Sequence, residues 1–345
     1  MRRRTLLSSS LGLGSLAGLA GLTGAAGGRH APERMAPAEQ ATRQELVLHS
    51  GSALAFGTTV TIRVLHADPQ SADLAIRNGL REVQKIDALM SLYREQSQVF
   101  QLNRSGVLTA PAPHLLHVLA MARHLSVITA GAFDITVQPL WRAFSQARSR
   151  AQLPTSAEIA AARSHVSWQH LEAEPHQVRF TAPGMAITLN GLAQGYALDL
   201  AIEALQAGGI QHALLDTGEF GALGRKKPDQ PWHLGVSDPR HTDLILARLQ
   251  MDGRKVATSG DYESAFDSDF VHHHIFDPSS GVSPAELAGV TVVAPTGILA
   301  DGLSTAFMVM GSDKALALAN QLPDVDTMLV RKNGTVIKTA NFPEV

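Results

Sequence analysis

Apolar positions along the chain change their period several times, and each change marks an element. Residues 46–49 and 58–65 are rich in β-branched and apolar side chains and are interrupted by Gly51 and Gly57, which predicts a pair of strands. Leu80, Val83, Ile86, Leu89 and Met90 fall at helical spacing and predict a helix over 73–90. A second helix is expected over 115–128, stopped by Ala130-Gly131. A third starts at Thr155-Ser156-Ala157-Glu158, which has the pattern of a capping box. Residues 186–189 read as a buried strand, and 195–206 as a helix ended by Gly208-Gly209. Strands are expected at 212–215 and 290–293, and helices at 300–310 and 312–322. Residues 327–330 and 335–338 flank Asn333-Gly334, a hairpin signal. Helices and strands alternate irregularly, without a repeat of fixed period. The pattern predicts an α+β (mixed α/β) domain in two lobes with a cleft between them.

The first residues break this pattern. Arg3-Arg4 precede a weakly apolar stretch, rich in Gly, Ser and Ala, that reaches Leu22 and makes a poor membrane span. Residues 1–28 read as a twin-arginine export signal, with Thr23-Gly24-Ala25 or Gly24-Ala25-Ala26 as the small-residue cleavage site. An ordinary secretory signal or an uncleaved anchor is the alternative. A polar linker over 29–45 then leads into a domain at 46–345. The expected location is therefore the periplasm.

The formal net charge is −2, and no basic block follows Arg2-Arg3-Arg4, so nucleic acid is not the expected partner. The chain has no cysteine. Disulfides, thiolate metal sites, a cysteine nucleophile and a lipid anchor on an N-terminal cysteine are excluded, and any metal must sit on oxygen or histidine ligands.

Candidate chemistry falls in segments denser in Gly and small polar residues than a core requires. Gly131-Ala132-Phe133-Asp134-Ile135-Thr136 lies just past a helix end, where backbone is free to meet a ligand or simply to form a cap with an Asp turn. Thr188-Leu189-Asn190-Gly191-Leu192-Ala193-Gln194-Gly195-Tyr196 leads a strand into a helix through a glycine-bearing turn, a setting that suits an anion at a helix N-terminus. It has neither the Walker pattern nor the G-x-G-x-x-G spacing. Three consecutive histidines, His272-His273-His274, cannot all face one metal from a strand, so one of them facing a cleft as acid or base is the better reading. Asp301 and Thr305 are one helical turn apart and make a partial oxygen shell for Mg²⁺. On spacing alone the structural reading stands ahead, with Asp301 favouring the helix dipole and Thr305 packed behind it.

Taken in order, these segments resemble the ApbE-type FAD:protein FMN transferases, over residues 56–311. Phe56-Gly57-Thr58 stands where the family has Met-Gly-Thr. Ser91-Leu92-Tyr93, Ser97, Leu102-Asn103, the run from Gly131 to Thr136, and Pro139-Leu140-Trp141 match. So do Ala257-Thr258-Ser259-Gly260-Asp261-Tyr262 and the run from His274 to Pro278. The family's Ala-Asp-Ala-Leu-x-Thr becomes Ala300-Asp301-Gly302-Leu303-Ser304-Thr305. The family's Asp and Lys before Gly-Tyr are here Thr188 and Gln194, which keeps the charge balance and the capacity to hydrogen-bond.

The resemblance implies that Phe56, Tyr93, Ala132, Phe133, Asp134, Thr188, Gln194 and Ile275 line an FAD site. It implies Mg²⁺ on Asp301, Thr305 and the backbone carbonyl of Gly191. It also implies His274 as the catalytic histidine, with Asp261 beside it. The implied reaction is attack of a partner's Thr or Ser hydroxyl on the FMN-side phosphorus of FAD, leaving FMN as a phosphoester and releasing AMP. The implied partner is an exported domain of a membrane redox complex bearing a Ser/Thr-Gly-Ala-Thr/Ser segment. An FAD pyrophosphatase, a non-catalytic flavin carrier and an assembly factor are the competing readings.

Overall fold

A computed structural model describes residues 45–227 and 229–345. The export-signal reading of 1–28 and the linker up to residue 44 lie outside the described residues. In chain order the strands are β1 Val47–Ala55, β2 Thr58–His66, β3 Val107–Thr109, β4 Leu171–Glu174, β5 Gln177–Phe180, β6 Ala213–Asp216 and β7 Phe220–Leu223. They continue as β8 His233–Ser237, β9 Ile245–Gln250, β10 Lys255–Gly260, β11 Leu287–Ala294, β12 Asp326–Arg331 and β13 Val336–Lys338. The α-helices are α1 Pro69–Met90, α2 Gln98–Ser105, α3 Pro113–Ile128 and α4 Gln138–Ser149. The later ones are α5 Ser156–Arg163, α6 Ala193–Ala207, α7 Gly297–Met310 and α8 Ser312–Ala319.

The α+β expectation holds. An eight-stranded sheet, in the order β1-β2-β6-β7-β10-β11-β12-β13, is antiparallel at every step. Helices α1, α6 and α7 bury their apolar stripes against one face, around Ile62, Val64, Leu198, Leu215, Val290 and Phe307. The β8–β9 hairpin covers part of the other face, where Trp232 and Leu249 meet Val256, Val293 and Met328. Strand β11 is buried along its whole length because both of its faces are covered, which explains an apolar run broken only by Thr291. A smaller sheet, β3-β5-β4, stands with α2 to α5 as the second part of the fold. Of the segments that carry candidate chemistry, 131–136 lies in this second part, 257–262 and 300–305 lie in the first, and 188–196 runs from one into the other.

Several sequence expectations shift for identifiable reasons. Strand β1 is not broken at Gly51 but runs through it, because α1 packs so close that a Cβ there would stand 2.5 Å from Ile76 Cγ2. Phe56 and Gly57 form a two-residue turn with both φ angles positive, 53° and 74°, matching the twist of the β1–β2 hairpin. Ala186, Ile187 and Leu189 are buried and Thr188 half-buried, but the four form no strand. Their backbone is satisfied instead by a side chain: Asn103 Nδ2 donates to Ile187 O at 2.8 Å, and Ile187 N donates to Asn103 Oδ1 at 2.7 Å. Helix α1 begins four residues before the apolar period does, because Asp68 caps it and Pro69 fits its first position. The Thr155–Glu158 capping box and the hairpin around Asn333-Gly334 are present as expected. Among the described residues, no helix is long and apolar enough to cross a membrane.

Helices α6 and α7 pack with their backbones in contact. A Cβ on Gly195 would stand 2.1 Å from Gly297 O and 2.7 Å from Asp301 Cβ, and one on Gly297 would stand 2.4 Å from Gly195 O. The obstacles are backbone, which cannot swing away. Gly195→Ala should therefore cost about 1–3 kcal/mol or more in urea unfolding, despite the better helix propensity of alanine. An unchanged midpoint would show that the helices separate freely.

Candidate active site

Two carboxylates cap each other's helices at this contact. Asp199 of α6 accepts from Gly297 N at 2.7 Å and from Ile298 N at 3.0 Å, the first amides of α7. Asp301 of α7 accepts from Gly195 N at 3.0 Å, in the first turn of α6. Asp301 is 4% exposed and lies one turn inside its own helix, so it serves the dipole of the neighbouring helix rather than its own. Burial pushes the Asp199 carboxyl up, and the two amides of α7 oppose that shift.

Hydroxyls gather one turn further along α7. Ser259 Oγ, from β10, lies 2.8 Å from Ser304 Oγ and 3.3 Å from Thr305 Oγ1. Ser304 Oγ donates to Asp301 O at 2.8 Å. The turn before α6 arrives at the same place: a Cβ on Gly191 would stand 2.8 Å from Thr305 Oγ1 and 3.6 Å from Phe133 Cε2. The fold thus brings together Phe133, Gly191, Asp301 and Thr305, which are far apart in sequence.

The other expected flavin residues are placed as follows. Ala132 is half-buried at the end of α3, while Phe133 is buried. Asp134 turns inward, its Oδ1 accepting from Thr136 N at 2.7 Å and Thr136 Oγ1 at 2.6 Å, and its Oδ2 from Trp168 N at 3.0 Å. Burial raises its carboxyl and these bonds oppose the rise. Thr188 Oγ1 accepts from Asn190 N at 3.3 Å, and Thr188 N donates to Ile135 O at 2.8 Å, which ties the two glycine-bearing loops together. Gln194 is buried and its Nε2 donates to Thr217 O at 2.8 Å. Ile275 is buried in the main core. Phe56 donates its N–H to Asp87 Oδ1 at 2.9 Å at the hairpin tip, and Tyr93 is exposed on the loop after α1.

His274 lies half-buried in an irregular segment, its N–H donating to Ser264 O at 3.0 Å. The histidine run is not a strand, so the alternation argued from a strand does not apply to it. Asp261 directly follows β10. It is fully buried, and its two oxygens accept from Arg240 Nη1 at 2.7 Å and Nη2 at 2.8 Å. Lys332 Nζ stands 3.5 Å from Asp261 Oδ2 and donates to Phe270 O at 2.6 Å. The Arg240 guanidinium also lies 4.7 Å from the Phe270 ring centroid. A carboxylate engaged in this way anchors the histidine-bearing segment. Arg240, Lys332, Asp199 and Ser259 were not singled out as site residues from sequence. Only Ser259 carried a signal, as part of a quoted motif.

A sequence model of the ApbE family matches residues 56–329. The chain belongs to the ApbE family. It is 31% identical over 284 residues to a FAD:protein FMN transferase of Vibrio cholerae, covering 78% of this chain and 84% of that one. It is 29% identical over 329 residues to that of Haemophilus influenzae, covering 89% and 94%. The ApbE protein of Thermotoga maritima superposes with a TM-score of 0.77 at 27% identity, over 86% of this chain and 98% of that one. The apo flavinyl transferase ApbE of Pseudomonas stutzeri superposes at 0.74 and 30% identity, over 86% and 94%.

In this ApbE chain the donors around Asp301 fit a hard divalent cation. They are one buried carboxylate, the Thr305, Ser259 and Ser304 hydroxyls, and backbone at Gly191 held against Thr305. Among the described residues no three of His, Asp or Glu gather as a metal cage. Mg²⁺ needs none, since it commonly takes one or two carboxylates and leaves the remaining places to water and phosphate.

Two consequences can be measured. His273 is fully buried, its ring Nε2 lies 3.3 Å from Pro284 O, and burial pushes its pKa down from 6.5 to about 4. The unfolded chain takes up a proton near pH 6.5 that the folded protein refuses until about pH 4, so stability falls as the pH drops through that interval. The loss should reach about 3 kcal/mol, and His273→Gln should flatten the slope in urea unfolding series across that range. Arg240→Met should cost about 3 kcal/mol in the same assay, because it strands a buried carboxylate with only Lys332 nearby. A loss below about 0.5 kcal/mol would mean that the pair is exchangeable for solvent.

Proposed function

We infer that the protein transfers FMN from FAD to a hydroxyl side chain of another protein and releases AMP. The observation that carries this reading is the α6–α7 junction. There two helix N-termini, a buried carboxylate and a group of hydroxyls converge, in a chain aligned over most of its length with FAD:protein FMN transferases. Although Asp301 and Asp199 hold the first amides there, the positive ends of both helix dipoles point at the junction and favour a pyrophosphate nearby. Asp301, Thr305 and the Gly191 carbonyl would hold Mg²⁺, which when bound neutralises charge on the phosphate oxygens. Phe133 and Ile275 offer apolar contact to the dinucleotide, and the exposed Tyr93 ring is available to cover the flavin.

His274 takes the proton of the acceptor hydroxyl as that oxygen bonds to the FMN-side phosphorus. The bridging P–O bond breaks, and the electron pair leaves with AMP. Asp261 keeps the histidine segment in place through Arg240 and Lys332. The acceptor is an exported domain of a membrane redox complex with a Ser/Thr-Gly-Ala-Thr/Ser segment. The twin-arginine reading of residues 1–28 supports a reaction in the periplasm, after folding.

Incubation of the mature protein with FAD, Mg²⁺ and such an acceptor domain should add the mass of one FMN to the acceptor, and chelation of the metal should prevent it. Asp301→Ala should lower metal-dependent transfer by at least about a hundredfold, as expected when a charge-stabilising group is removed. Transfer at the wild-type rate in that variant would remove Asp301 from the metal site. Release of AMP with free FMN, and an unmodified acceptor, would instead identify an FAD pyrophosphatase. FAD binding without AMP would identify a carrier.

A further inference from the structure

A cleft of about 770 Å³ opens between the end of α2, strand β5, helix α4 and the loop over residues 181–185. Three of its lining residues are arginines, Arg104, Arg142 and Arg179, each from a different element, and none is acidic. This concentration of one sign is unexpected in a chain whose formal net charge is −2. Arg179 is paired with Glu172 at 2.7 Å. Arg104 and Arg142 form no hydrogen bond or ion pair with any described residue, and all three side chains face solvent. Partial burial with no acid to offset it pushes the Arg142 guanidinium down.

The cleft is tied to the flavin segments on two sides. Asn103 lines it and holds Ile187 by the reciprocal pair of bonds at 2.8 and 2.7 Å, one residue before Thr188. Helix α4, which carries Arg142, follows directly on the 131–136 loop and the short 3-10 turn Ile135–Val137. A partner seated in the cleft would thus touch Asn103 and α4, the two elements joined directly to the loops that reach Gly191 and Phe133. Asp301, Thr305 and Gly191, where the proposed reading seats the metal and the FAD phosphates, do not line this cleft.

We propose that the arginine cleft is the docking site for an acidic flank of the acceptor segment, whose carboxylates meet Arg104 and Arg142 while the acceptor hydroxyl reaches the flavin. This rests on the transferase reading and adds to it a rule for choosing partners. Long guanidinium side chains suit carboxylates because they present paired donors, and charge complementarity at an open site acts mainly on partner selection and encounter.

The test uses two versions of a Ser/Thr-Gly-Ala-Thr/Ser acceptor domain, one with Asp and Glu flanking the segment and one with Lys in those places. Transfer is followed by acceptor mass, and water-supported AMP release without acceptor reports on the fold and the flavin site. Arg142→Glu and Arg104→Glu should each raise the KM for the acid-flanked acceptor about tenfold, with kcat and the KM for FAD unchanged. Arg142→Glu should also reverse the preference toward the Lys-flanked version, and added salt should weaken the wild-type preference. Unchanged acceptor KM in both variants overturns the proposal, as does a raised KM for FAD, which would give the arginines to the dinucleotide. Wild-type protein that modifies neither acceptor brings down the transferase reading, and the docking site with it.

Discussion

The glycine-to-glycine contact between α6 and α7 is the constraint on which the rest of the site depends. With Gly195 and Gly297 in backbone contact, the two helix N-termini come close enough for each helix to cap the other, Asp199 closing α7 and Asp301 closing α6. Both carboxylates are largely buried, a placement that is costly unless their charge is met by oriented donors. The same geometry places Thr305 and Ser304 against Ser259 of β10 and draws the Gly191 turn in behind them. Helix crossing, carboxylate burial and the cluster of oxygen donors are therefore one feature of the packing. A larger residue at either glycine would alter all three at once.

A second, independent set of interactions governs the histidine segment. Its anchor is a fully buried carboxylate, Asp261, reached by Arg240 from the β8–β9 connection and by Lys332 from the β12–β13 turn. Three stretches distant in sequence must be in place before His274 has a fixed position. The Arg240–Phe270 stacking and the Lys332–Phe270 hydrogen bond extend that hold to the loop itself. Removing one partner of such a pair leaves an uncompensated charge in the interior, so the cluster acts as a latch rather than as surface decoration.

The extent to which the sequence was legible follows from the range of the interactions. Local ones were read well: the Thr155–Glu158 capping box, the stop at Ala130-Gly131 and the Asn333-Gly334 hairpin all depend on residues within a few positions of one another. Non-local ones were misread. Residues 186–189 have the composition of a buried strand, but their backbone is satisfied by Asn103, more than eighty residues earlier. Gly51 has the appearance of a strand breaker, whereas it is a point of close helix approach. The partners of Asp261 could not be read at all, because nothing near its motif announced Arg240 or Lys332.

By itself the sequence determined the α+β class, most of the helices and strands, the absence of thiol chemistry, and the residue types of the ApbE motifs in their order. These rest on periodicity, turn chemistry and composition, which are properties of short windows. Only the tertiary structure decided that Asp301 caps a neighbouring helix, that Asp261 is locked between two cations, and that Arg104, Arg142 and Arg179 share one cleft. The physical reason is the same in each case. A buried charge or a concentration of like charge is defined by what the chain brings back beside it, and that depends on packing between elements rather than on spacing within them.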